Sequence, residues 1–195
     1  MSVSEVQAAT LGIAEFNAGN QAWRGQDWVA ALTAYTQATQ LNPGLALAYL
    51  GCARCHVRLG AWMAAREAFA AVLRLEPRNF SAWLEAGHLC RQMGELQQAS
   101  GAYQRAIDAS PERYEAPLAM ARVLHQLNQK PLASQAFEQA MALAKAQASA
   151  QGPTTLPAEV SHRMGQYLLE LGDNAAAAQV LVMALKSIPP QDLSR

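Results

Sequence analysis

Small and large apolar residues recur along this chain in a fixed order, and the segments that carry them end alike. The endings are Leu41-Asn42-Pro43, Leu75-Glu76-Pro77 and Ala109-Ser110-Pro111, with the prolines 34 residues apart. Counting from those prolines divides the chain into repeats 12–45, 46–79, 80–113 and 114–147, and a fifth repeat, 158–191, closes on Pro189 after an insertion at 148–157. With positions numbered from the start of each repeat, position 8 holds Gly19, Ala53, Gly87, Ala121 and Gly165, and position 20 holds Ala31, Ala65, Ala99, Ala133 and Ala177. Position 24 holds Tyr35, Phe69, Tyr103, Phe137 and Leu181; position 27 holds Ala38, Val72, Ala106, Ala140 and Ala184. A period of this length marks stacked supersecondary units. Small residues at positions 8, 20 and 27 let two antiparallel helices approach closely, while the large side chain at 24 fills the space between them and the next repeat. The glycines in Leu59-Gly60-Ala61, Met93-Gly94-Glu95 and Leu171-Gly172-Asp173 end the first helix of a pair. The proline stops the second, since it cannot continue a helix and drives its predecessor out of the α region.

This pattern resembles the tetratricopeptide repeat (TPR) family, which has an aromatic or Leu at position 4, Gly or Ala at 8, Ala at 20, an aromatic at 24, Ala at 27 and Pro at 32. Tyr49 and Trp83 fill position 4; Glu15, Pro117 and Val160 depart from it, so weaker first helices are expected in the outer repeats. The resemblance runs over residues 12–191 and implies an all-α fold, a right-handed α-solenoid of helix-turn-helix TPR units. Residues 1–11 lead into the first helix, where Ser4-Glu5-Val6-Gln7 resembles a capping box, and 192–195 form a short tail. The insertion reads as a loop following an overlong second helix, with Gly152-Pro153-Thr154-Thr155 as its turn signal.

Composition agrees with helices and narrows the function. Hydrophobic residues are 51% of the chain, which excludes disorder over most of its length. Charged residues are only 15%, below the roughly 25% of an average soluble protein. Lys+Arg and Asp+Glu balance at 15 each, so a nucleic-acid partner is not expected. No basic n-region or small-residue cleavage site opens the chain, and no long apolar run spans a bilayer, so membrane insertion is not expected either. Three cysteines suit reduced thiols in a cytoplasmic setting better than a disulfide framework.

Cys52-Ala53-Arg54-Cys55-His56 matches the C-x-x-C-H haem-attachment pattern, and Cys90 lies level with His56 in the next repeat. These residues fall inside first helices, where the repeat requires packing side chains, so they read as buried thiols rather than haem or zinc ligands. No cofactor or metal is expected. Phosphate loops, nucleophile elbows and zinc-protease motifs are absent from the sequence, and His56, His88, His125 and His162 fall in different repeats. A non-catalytic protein is the expectation.

In the family the first helices line the concave face, which makes positions 2, 5, 6, 9, 12 and 13 the candidate ligand contacts. Position 5 supplies an apolar ladder of Phe16, Leu50, Leu84 and Leu118; position 9 supplies Asn20, Arg54, His88 and Arg122. Positions 12 and 13 add Trp23, Arg24, Val57, Arg58, Arg91, Gln92, His125 and Gln126. The expected function is a non-catalytic interaction module or scaffold that binds an extended or helical peptide in this groove, with arginines meeting carboxylates of an acidic segment. Pairing of those arginines with Glu85 or Glu115 is the competing expectation. The carboxylate clamp of heat-shock co-chaperones is matched only at Asn20, since Phe16, Gly51, Ser81 and Glu85 occupy its other positions. The alternatives are an N-terminal segment of a larger enzyme, such as an O-linked N-acetylglucosamine transferase-like glycosyltransferase, and a cytoplasmic secretion or assembly chaperone. A last helix without a polar cap would leave Val180, Leu181, Leu185 and Ile188 bare and open to self-association.

Overall fold

The structure, a computed structural model, describes residues 3–151, 158–170, 172 and 177. The regular elements among them are α-helices: α1 (Val3–Arg24), α2 (Trp28–Leu41), α3 (Ala46–Arg58), α4 (Trp62–Leu75), α5 (Phe80–Gln92), α6 (Leu96–Ala109), α7 (Glu115–Gln126), α8 (Lys130–Gln151) and α9 (Ala158–Glu170). The chain divides into two compact bodies, Met1–Ala109 and Ser110–Arg195. In the first, α1 packs on α2, α3 on α4 and α5 on α6, and the pairs are joined by α2 against α3 and α4 against α5. In the second, α7 packs on α8, and Met164, Tyr167 and Leu168 of α9 share a core with Leu118, Ala121, Ala140 and Ala144.

The small positions do what their size dictates. The alanines at position 20 (Ala31, Ala65, Ala99, Ala133 and Ala177) and Ala38, Val72, Ala106 and Ala140 at position 27 are all buried, as are Gly19, Ala53, Gly87, Ala121 and Gly165 at position 8. Glycine is required where an aromatic ring lies against the backbone. The Tyr35 ring sits between α1 and α3, and a Cβ on Gly19 or Gly51 would come within 2.6 or 2.8 Å of it. Tyr103 lies as tightly against Gly87.

One turn geometry serves every repeat. Gln26, Gly60, Gly94, Asn128 and Gly172 all occupy position 15, and all have positive φ, between 59° and 78°. The bonds from Asp27 N to Ala22 O, Ala61 N to His56 O, Glu95 N to Cys90 O and Gln129 N to Leu124 O then close the ends of α1, α3, α5 and α7. These are Schellman caps, which satisfy carbonyls the helix leaves unpaired. Side chains begin some helices: Asp27 accepts from Ala30 N and Asn79 from Ala82 N. Pro117 does not break its helix, because it falls in the first turn of α7, where the missing N–H has no intrahelical partner to lose.

The α8 helix continues through Gln151, so the expected loop at 148–157 begins as helix. The run Ala146-Gln147-Ala148-Ser149-Ala150-Gln151 contains no breaker before Gly152-Pro153. Residues 152–157, the second helix expected in the fifth repeat apart from Ala177, and the bare C-terminal face lie outside the described residues. Among the described residues, no helix is long and apolar enough to cross a membrane.

Candidate functional site

The first helices of the N-terminal body bring six of the expected groove residues, Trp23, Arg54, Val57, Arg58, His88 and Gln92, to one pocket of about 290 Å³. Trp23 comes from α1, Arg54 and Arg58 from α3, and His88 from α5. Val57, Phe69 and Leu89 supply its apolar walls, and Glu85 and Gln92 complete the lining. Trp23 meets Trp28 edge-on at 4.7 Å between centroids, and the Arg58 guanidinium lies 4.8 Å above the Trp28 ring. This stacking holds an exposed cation at the rim.

Arg54 is already engaged. Its Nε donates to both oxygens of Glu85 at 3.0 and 2.9 Å, and a further bond from Nη2 makes the pair a fork. The pair links α3 to α5 across consecutive repeats, instead of joining residues of one helix. The Glu85 hydrogen bonds hold the guanidinium pKa above its ordinary value against the opposing effect of burial. With side chains 43% and 27% exposed, solvent screening limits the pair to about 1 kcal/mol or less. Its effect on the site is to fix geometry and remove net charge.

The apolar ladder needs correction. Leu50 is only 4% exposed and packs with Ala46, Phe69 and Leu89, while Leu118, 5% exposed, belongs to the core of the C-terminal body. Both point inward because their helices turn that stripe against the neighbouring pair, so they are core residues with almost no surface for a ligand. Phe16 is half-buried against Tyr35 at 5.7 Å between rings, and Leu84 is half-buried.

Position 9 has two roles that its place in the repeat does not separate. Where position 24 is tyrosine, position 9 bonds its hydroxyl: Tyr35 donates to Asn20 Oδ1 at 2.8 Å, and His88 Nδ1 lies 2.8 Å from the Tyr103 hydroxyl. Where position 24 is phenylalanine, as at Phe69 and Phe137, position 9 is arginine, Arg54 and Arg122. The alternation is visible in the sequence as Tyr with Asn or His, and Phe with Arg.

Arg24, Arg58, Arg91 and His125 stand in the last turns of α1, α3, α5 and α7. Cationic side chains there are favoured by the partial negative charge of the helix end, whatever else they do. Leu118, Arg122 and His125 lie in the C-terminal body.

The cysteines are packing residues in this arrangement. Cys52 and Cys55 are buried, Cys52 Sγ lies 3.8 Å from Thr36 Oγ1, and Cys90 is half-buried. Burial raises all three thiol pKa values, with Cys55 pushed up to about 12. Ligation and covalent chemistry need the thiolate, which this environment disfavours. Among the described residues, no group of three His, Cys, Asp or Glu side chains is placed to hold a metal ion.

Paired helices with a common turn, stacked pair on pair within the N-terminal body, define a helical-repeat interaction fold. Residues 22–87 and 80–113 each match the sequence profile of the tetratricopeptide repeat. The chain is a tetratricopeptide repeat protein. Solved structures share its fold. TTC0263, a thermophilic TPR protein in Thermus thermophilus, is 22% identical with a TM-score of 0.71, over 93% of this chain and 94% of that one. The MamA protein is 18% identical with a TM-score of 0.66, over 90% and 91%. The first TPR of Spaghetti (RPAP3), solved with the HSP90 peptide SRMEEVD, is 18% identical with a TM-score of 0.59, over 62% of this chain and 95% of that one. No curated protein matches the sequence.

Proposed function

We propose that this protein is a non-catalytic interaction module and that the pocket formed by α1, α3 and α5 takes a peptide segment of a partner. The observation that carries the reading is convergence: first helices of three consecutive repeats contribute Trp23, Arg58, Glu85 and His88 around an apolar floor of Val57, Phe69 and Leu89. Such a pocket accepts one apolar side chain, and the rim cation Arg58 meets a neighbouring carboxylate of the peptide. The peptide-bound RPAP3 domain, which shares the fold, supports a peptide as the class of ligand. Arg54, held by Glu85, contributes position more than charge, so acid preference rests mainly on Arg58, with Arg24 next to Trp23 on α1.

The test is affinity capture with the intact protein, followed by peptide mapping of the bound segment. The Arg54→Ala, Arg58→Ala, Arg122→Ala triple variant should lose capture of the mapped peptide, with Arg58→Ala alone accounting for most of the loss. Hydrogen exchange should slow in α3 and α5 when the peptide binds. Equal capture by wild type and triple variant would refute the assignment.

A further inference from the structure

A second cleft in the N-terminal body opens between its second helices α4 and α6, sharing only Phe69 and Leu89 with the pocket just described. It has a volume of about 610 Å³, with walls from α4 and α6 and a floor from α5. That volume lies within the roughly 300–1,000 Å³ typical of formed ligand sites. Its shape follows from small residues: Ala70, Ala86 and Ala102 line it, and a Cβ built on Gly101 would meet nothing within 4 Å. Trp83 forms a rigid wall, because its indole Nε1 donates to Pro77 O at 2.8 Å.

Charge decides what fits. Three arginines, Arg66, Arg74 and Arg105, line the cleft, and no acidic side chain does. Arg66 is paired with Glu95. Among the described residues Arg74 and Arg105 make no ion pair, and the nearby Asp108 carboxylate accepts from Gln104 Nε2 at 3.0 Å. Two uncompensated cations thus stand on opposite walls of an apolar trough. A trough between two helices, floored by a third, is the surface that ridges-into-grooves packing fills with another helix.

We propose that this cleft is a second docking site, for a short amphipathic helix of a partner protein that lays its apolar face against Leu73, Trp83 and Ala102 and offers carboxylates to Arg74 and Arg105. Phe69 and Leu89 back both this cleft and the first-helix pocket, but the arginines of the two sites differ, so the two are separable by mutation.

The probe is a fluorescein-labelled amphipathic helical peptide with leucines at i, i+3, i+4 and i+7 and glutamates on both shoulders. Fluorescence anisotropy with the full chain should show binding, and a matched peptide with lysines for the glutamates should bind at least tenfold more weakly. The Arg74→Glu, Arg105→Glu double variant should also lose at least tenfold in affinity, and Gly101→Leu, which fills the trough, should do the same. Far-UV circular dichroism checks that the variants fold, and Lys130→Ala, which removes an exposed cation of the C-terminal body, should leave binding unchanged. Alkylation of Cys90, which lines the cleft, should slow when the acidic peptide is bound. No binding of the acidic peptide, binding indifferent to the arginine reversals, or an equal loss caused by Lys130→Ala would overturn the proposal. So would self-association of the wild-type chain abolished by the double variant, which would assign the cleft to a second copy.

Discussion

Replacing Gly87 with alanine should destabilise the protein, although alanine is the better helix former. The added Cβ would lie 2.4, 2.6 and 3.0 Å from Cε1, Cδ1 and Cζ of Tyr103. Carbon atoms pack best at about 3.5–4.0 Å, so the ring would have to move by roughly 1 Å. It has nowhere to go: Tyr103 is 0% exposed and its hydroxyl is held by His88. Overpacking of this kind costs about 1–3 kcal/mol, and a strained Tyr103–His88 bond adds up to about 1 kcal/mol. Against this stands a gain of about 0.5–1 kcal/mol for alanine over glycine within a helix. These terms combine to a loss of about 0–3.5 kcal/mol, centred on about 2 kcal/mol. Gly101, on the neighbouring α6, is the matched control, because its Cβ would meet nothing and only the helix gain of about 0.5–1 kcal/mol remains. Urea unfolding followed by far-UV circular dichroism should therefore move the midpoint down for Gly87→Ala and up for Gly101→Ala, at similar m-values. In a Tyr103→Leu background the Gly87→Ala penalty should shrink, since the leucine side chain leaves room. A Gly87→Ala protein as stable as wild type, or a penalty unchanged by Tyr103→Leu, would refute the close-approach argument.

Gln26 holds the left-handed turn conformation that glycine holds at Gly60, Gly94 and Gly172, so Gln26→Gly should stabilise by up to about 1 kcal/mol and Gly94→Ala should destabilise by about 1 kcal/mol. Denaturant midpoints of the two variants should therefore shift in opposite directions. Mass spectrometry of iodoacetamide-treated native protein at pH 8 should show Cys90 modified first, with Cys52 and Cys55 reacting only as the protein unfolds, because both are buried and their pKa values are raised. Rapid modification of Cys55 in the folded state would contradict its packing.

The repeat was legible because packing at positions 8, 20 and 27 tolerates only small side chains, and a constraint that recurs in every helix pair leaves a recurring letter. The turn was legible where it held glycine. It was hidden at Gln26, where the same backbone is imposed on a residue that adopts it less readily. The groove was harder to read. Position 5 reads in sequence as a ladder of ligand contacts, yet Leu50 and Leu118 are enclosed by their neighbours, since a leucine is the same letter on the core edge of a helix as on its exposed edge. Asn20 and His88 read as ligand contacts as well, and each is committed to a tyrosine hydroxyl.

What the sequence determined alone was the helix-pair architecture and its spacing, because local rules of size, turn backbone and proline termination act within one repeat. What only the tertiary structure decided was which arginines are available. Arg54 is taken up by Glu85, 31 residues away, and Arg66 by Glu95, while Arg74 and Arg105 face an open cleft. A side-chain charge is the same letter in all four places; its availability depends on what the neighbouring repeat sets beside it. That juxtaposition is a property of the stacking between repeats.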